Sequence, residues 1–134
     1  MESTSSGKGA LIHLDTNYLV DLSEPGSRAW NEIRDWIAAA EPLATSSVAW
    51  SEYLCGPVSP EAIALARQVV GDPVPFTWQD AELAADMFNA SGRRRSVFRD
   101  CMIAASAVHA GAAVATSNVP DFKRMAPFGV VIAE

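Results

Sequence analysis

Ala10-Leu11-Ile12-His13-Leu14-Asp15-Thr16-Asn17-Tyr18-Leu19-Val20-Asp21-Leu22 is the stretch on which the reading of this chain turns. Its first five residues form a short, mostly apolar run stopped by an acid, as a buried strand is. Thr16 to Leu22 then reads as a helical turn or more, ended by Ser23-Glu24-Pro25-Gly26. A carboxylate stands at the junction between the two.

The same alternation continues downstream. Ser27 caps a helix to Ala40 with Trp30, Ile33, Trp36 and Ile37 on one face. Pro42 breaks it, and Leu43 to Thr45 is a second strand. Ser46 or Ser47 caps a helix through about Leu54, closed by Gly56-Pro57. Ser59 as cap and Pro60 at the first position open a helix to Val70. Val74 to Phe76 is a third strand, peripheral because of its proline. Thr77 caps a helix to about Ala90, and an arginine-rich loop leads to Phe98 to Ala110, a helix with almost no polar face that belongs in the centre. Ala112 to Ala115 is a fourth strand and Gly129 to Ala133 a fifth. Strands alternating with helices predict an α/β fold: a short central parallel sheet of four to five strands with helices on both faces. One domain spans residues 10–134, preceded by a polar, Ser-rich flexible tail, 1–9. In such sheets ligands bind beyond the carboxyl ends of the strands, where strand order reverses.

Composition limits the possibilities. With 134 residues, 49% of them hydrophobic and 19% charged, the chain can bury one proper core. No apolar run reaches the roughly 18 residues of a membrane span, and the N-terminus lacks the hydrophobic centre of a signal peptide. Cys55 and Cys101 are too few and too far apart for a disulfide framework or a cysteine zinc site; both read as small buried thiols in a reducing cytoplasm. The net charge of −6 argues against a nucleic-acid binder until its distribution is considered. Residues 1–92 carry 4 basic and 13 acidic side chains, whereas residues 93–134 carry 6 and 3. The basic cluster Arg93, Arg94, Arg95, Arg99, Lys123 and Arg124 reads as a solvated face or, beside an acidic site, as a cradle for a phosphate backbone.

Asp15 either caps a helix or faces the crevice, since Thr16 and Asn17 can cap equally well. Glu52 lies too deep in its helix to form a capping box with Ser46 or Ser47. Asp100 stands in the first turn of an otherwise apolar helix, where the dipole favours an anion. Asn118 and Asp121 follow the fourth strand, with Thr116 placed to steady that loop. Each of these has an ordinary structural reading. If the three distant acids converge, their mutual repulsion calls for a divalent cation between them, and the all-oxygen donor set suits Mg²⁺. Metal-assisted phosphodiester hydrolysis is the chemistry that follows. Competing readings are a metal-free ribonuclease using His13 and His109, a phosphoryl-transfer domain with Asp15 as nucleophile, and a binding module without catalysis.

Four segments together carry a resemblance: Leu14 to Leu22 (LDTNYLVDL), Ser46 to Gly56 (SSVAWSEYLCG), Asp100 to Ala107 (DCMIAASA) and Ala115 to Phe122 (ATSNVPDF). In this order the chain resembles a PIN domain, specifically a VapC-type toxin ribonuclease. The resemblance implies Mg²⁺- or Mn²⁺-dependent cleavage of RNA, with Asp15, Glu52 and Asp100 on the three best-kept acidic positions. It implies Asp15 and Asp100 as principal metal ligands, Asp121 as a fourth catalytic acid, and Thr16, Thr116 and Asn118 in support. Many PIN domains carry an acid two residues after the threonine, where this chain has Asn118. The arginines Arg93, Arg94, Arg95 and Arg99 become candidates for gripping RNA. A cognate antitoxin is implied as partner; the Trp30 and Trp36 face either packs into the core or is a candidate surface for that partner or for a homodimer.

Overall fold

The computed structural model describes residues 10–134; the expected tail lies outside them. Ten elements of regular structure, joined by short 3-10 turns at Arg95–Val97 and Ala126–Phe128, follow one another along the chain. They are β1 (Ile12–Leu14), α1 (Thr16–Asp21), α2 (Arg28–Ala38), β2 (Leu43–Ala44), α3 (Ser47–Leu54), α4 (Pro60–Val70), α5 (Trp78–Ala90), α6 (Phe98–Ala110), β3 (Ala113–Ala115) and α7 (Val119–Lys123).

The helix starts are set by local chemistry. The Ser27, Ser46 and Ser59 hydroxyls accept from the backbone N–H three residues on. Thr77 and Asp80 form a reciprocal capping box at α5. α6 carries no side-chain cap; Gly111 closes it in a left-handed conformation, φ 70°.

The sheet is parallel, order β2-β1-β3. It has three strands rather than four to five. Val74 makes a single bridge to Ser46, and Ile132 a single bridge to Val114. Pro73 and Pro75 flank Val74 and have no N–H to extend a ladder. The last segment contributes only a pair of hydrogen bonds around Val114. All three residues of β1 are buried, as are Val114 and Ala115 of β3. α6 packs on α5, α3 and β3 and buries Cys101 and Ile103 to Ala107, as its apolar sequence requires.

One detail differs from expectation, and one open reading is decided. Cys101 is buried, but Cys55 is exposed, because it falls at the C-cap of α3 where the helix leaves the core. Trp36 is core, stacked on Tyr18 with centroids 6.2 Å apart, while Ile37 on the rim of the same helix is 53% exposed. Among the described residues no helix is long and apolar enough to cross a membrane.

Candidate active site

Chain order places β1 in the middle, with β2 on one side and β3 on the other, so the direction of winding reverses between β1 and β3. That is the switch point where α/β sheets place their crevice. Asp15 follows the end of β1 and Thr116 the end of β3. The Leu14–Asp15 peptide is held from both sides: the Thr45 hydroxyl donates to the Leu14 carbonyl at 2.7 Å, and the Asp15 N–H donates to the Ala115 carbonyl at 2.9 Å. Thr45, fully buried here, is a residue the sequence reading misses; its only signal there is a hydroxyl at the end of the expected second strand.

A chain of hydrogen bonds joins all four acids. Glu52 Oε1 accepts from Thr16 Oγ1 at 2.6 Å, and the Thr16 N–H donates to Asp15 Oδ1 at 2.7 Å. Asp15 Oδ2 accepts from Thr116 Oγ1 at 2.7 Å, and Thr116 Oγ1 accepts from the Asn118 N–H at 2.9 Å. The Asn118 side-chain amide then donates to Asp100 Oδ2 at 2.8 Å and Asp121 Oδ2 at 2.9 Å. Asp15 thus both caps α1 and faces Thr116, so its two readings are compatible.

Two of the candidate arginines face acids. Arg99 Nη1 donates to Glu52 Oε2. Arg94 Nη2 and Arg124 Nη1 approach Asp121 Oδ1 at 3.5 and 3.4 Å. Arg93 and Arg95 form no ion pair with a described residue.

Burial raises the Asp15 carboxyl above its usual range, against the pull of the Thr116 and Thr16 hydrogen bonds. Burial, and then the neighbouring Asp15 charge, push Asp100 up to about 6. Asp121 is lowered, chiefly by the Asn118 amide. Asp15 and Asp100 are therefore two carboxylates close enough for the charge of one to disfavour ionisation of the other.

As arranged, no three His, Cys, Asp or Glu side chains among the described residues could enclose a metal ion. Glu52 is turned toward Arg99, and Asp121 toward Arg94 and Arg124. The pair Asp15 and Asp100 still fits a hard cation, because Mg²⁺ keeps most of its waters and commonly takes only one or two protein carboxylates.

The histidines stand apart from this network. His13 is almost fully buried with neither ring nitrogen hydrogen-bonded, and burial lowers its pKa. His109 Nδ1 lies 2.6 Å from Asp80 Oδ1, tying α6 to the cap of α5. Neither is arranged for acid–base work on a shared substrate.

No curated protein sequence matches the chain. Among solved structures, a chain of VapBC2 from Rickettsia felis bound to a DNA fragment from their promoter superposes with a TM-score of 0.72 at 17% identity, covering 92% of this chain and 97% of that one. A chain of a toxin-antitoxin complex from Klebsiella pneumoniae gives 0.68 at 21% identity, covering 93% and 97%. A chain of VapBC-1 from nontypeable Haemophilus influenzae gives 0.68 at 19%, covering 92% and 97%. The model of the PIN domain family matches residues 12–127, nearly the whole described chain. This chain belongs to the PIN domain family.

Proposed function

We propose that this chain is a metal-dependent endoribonuclease and the toxin of a VapBC-type toxin–antitoxin pair. The observation that carries the reading is the unbroken hydrogen-bond chain linking Glu52, Asp15, Asp100 and Asp121 through Thr16, Thr116 and Asn118 at the sheet's switch point. Asp15 and Asp100 would hold Mg²⁺ or Mn²⁺, which when bound supplies Lewis-acid charge against the developing oxyanion. Thr116 fixes the rotamer of Asp15, and Asn118 does the same for Asp100. Glu52, once released by Arg99, accepts the proton of the attacking water. Arg94 and Arg99 stand on either side of the acids, where the backbone of an RNA strand would pass. Asp121 holds Arg94 and Arg124 beside the crevice rather than contributing an oxygen at its centre.

The antitoxin partner is proposed by analogy with the toxin–antitoxin complexes that share this fold. A homodimer is the expected state of the free toxin, to be measured by light scattering. The deciding experiment is incubation of the purified chain with single-stranded RNA in Mg²⁺, in Mn²⁺ and in EDTA. Cleavage in the first two and none in EDTA supports the reading; equal cleavage in all three overturns it. A second reading, a PIN domain that binds RNA or protein without cutting, draws on Asn118 standing where an acid would add a ligand. It gives RNA binding without product in either metal.

A further inference from the structure

Glu52, on α3, is bracketed by two other helices. Its Oε1 accepts from Thr16 Oγ1 of α1 at 2.6 Å, and its Oε2 from Arg99 Nη1 of α6. Asp121 meets two arginines, Arg94 and Arg124, and keeps one if the other leaves. Glu52 has only Arg99 as an ion-pair partner among the described residues. The Arg99 and Glu52 side chains are 55% and 32% exposed and line the same open hollow, so a solute reaches the pair without the fold opening. An ion pair this exposed contributes little to stability. It does hold one carboxylate of the network closed, and Thr16 relays that to the next. Its hydroxyl meets Glu52, and its N–H meets Asp15 Oδ1 at 2.7 Å.

Resting on the nuclease reading above, we propose that Arg99 is a latch that the substrate opens. The guanidinium holds Glu52 in the free chain, and a phosphodiester arriving at the crevice draws it onto its own oxygens. Glu52 is then free for the cation site at Asp15 and Asp100, which makes Arg99 a positioning residue. Three features favour a phosphate as the opener. A guanidinium presents parallel N–H donors that match two phosphate oxygens, whereas Glu52 engages it through one nitrogen, Nη1. A carboxylate released among other acids gains by turning to a cation, so anion and cation each make room for the other. Arg99 directly precedes Asp100 and connects to Asp15 through Glu52 and Thr16, so its release is felt at both members of the metal pair. The coupling is reciprocal by necessity: whatever factor the phosphate adds to cation affinity, the cation adds to phosphate affinity.

The test is the affinity of a labelled, nuclease-resistant 2′-O-methyl oligoribonucleotide, read by fluorescence anisotropy in EDTA for wild type, Glu52→Gln, Arg99→Ala and the double variant. Glu52→Gln releases Arg99 and should tighten binding about 5-fold, the low end of coupling between sites. Arg99→Ala should weaken binding. In the Arg99→Ala background no guanidinium is left to release, so Glu52→Gln should gain less than about 2-fold, within ordinary additivity. Equal tightening with and without Arg99 traces the effect to the charge of Glu52 alone and overturns the proposal, as does no tightening at all. Titration calorimetry with Mn²⁺ reads the coupling from the other side. Saturating oligonucleotide should tighten Mn²⁺ binding more in wild type than in Arg99→Ala; an equal gain in both overturns the latch. Thermal unfolding of each variant checks that the fold is intact. Wild type that cleaves RNA in Mg²⁺ without this coupling removes the latch and leaves the nuclease reading standing. Wild type that neither binds nor cleaves RNA removes both.

Discussion

Arg99, in the first turn of α6, donates to Glu52, in the middle of α3, across the mouth of the crevice. Burial holds the Asp15 and Asp100 carboxyls above their usual range, and the same guanidinium pulls weakly against that rise. It is a resident positive charge where a divalent cation is proposed to bind. Arg99→Ala should therefore tighten Mn²⁺ binding several-fold, about 2- to 10-fold by the usual free-energy scale. The thermal midpoint should barely change, since half-exposed ion pairs contribute little to stability. Titration calorimetry with Mn²⁺ checks this; unchanged or weaker binding counts against a cation site near Glu52.

Asp15→Asn and Asp100→Asn should each remove RNA cleavage while leaving circular dichroism and thermal unfolding close to wild type. Asparagine retains an oxygen for the Thr16 N–H, and it caps helices about as well as aspartate. Full activity in either variant rules out the metal pair.

Thr116 donates to Asp15 and accepts from the Asn118 N–H, so it fixes both halves of the site at once. Thr116→Val keeps the shape and removes the hydroxyl. Metal affinity should fall 10- to 100-fold, the usual cost of losing an outer-shell partner, while Thr116→Ser should retain it. Loss of stability should be about 1–3 kcal/mol, from a buried carboxylate oxygen left unpaired.

Asn118 donates its amide to two carboxylates. Asn118→Asp replaces that donor with a third negative charge, so the metal-free protein should melt at a lower temperature than wild type. Mg²⁺ should then stabilise the variant more than it stabilises wild type. Thermal scans with and without Mg²⁺ measure both; a variant that is equally stable without cation would mean the acids are less crowded than the hydrogen bonds indicate.

Asp100 gives a pH signature. Its carboxyl holds a proton up to about pH 6 in the folded chain, but only up to about its ordinary 3.8 when unfolded. Its contribution to stability is fully present below pH 3.8 and lost as the pH rises through 6, because the folded state binds more protons in that window. Asp121, shifted down, acts in the opposite sense and only at lower pH. Subtracting the Asp100→Asn melting profile from that of wild type should leave a fall in stability between about pH 4 and 6. Mg²⁺, competing with that proton, should bind more weakly below pH 6.

Local chemistry was legible from the sequence. Ser59 with Pro60, Thr77 as a cap, and the bounds of α6 from Phe98 to Ala110 all depend on neighbours within a few residues. The outer strands were not, because a strand is made by its partner: Val74 to Phe76 forms only a single bridge, from Val74 to Ser46. The site residues could be named from their junctions, since Asp15 directly follows β1 and Thr116 directly follows β3. Their wiring could not. Nothing near Arg99 in the chain shows that it reaches Glu52, and nothing near Arg94 shows that it turns to Asp121. The apolar run of α6 predicts Phe98 as core with the rest of that helix, yet it is 40% exposed because it stands at the helix's open end.

β1 is only three residues long, and its last peptide is clasped by Thr45 on one flank and Ala115 on the other. Such a clasp leaves the catalytic seam with no independent support: if either neighbouring segment peels away, Asp15 loses its bearing while the helical shell still stands. Damage to this molecule should thus silence it well before it unravels, so that deuterium uptake at the Asp15 amide would report impending inactivity sooner than any spectroscopic melt.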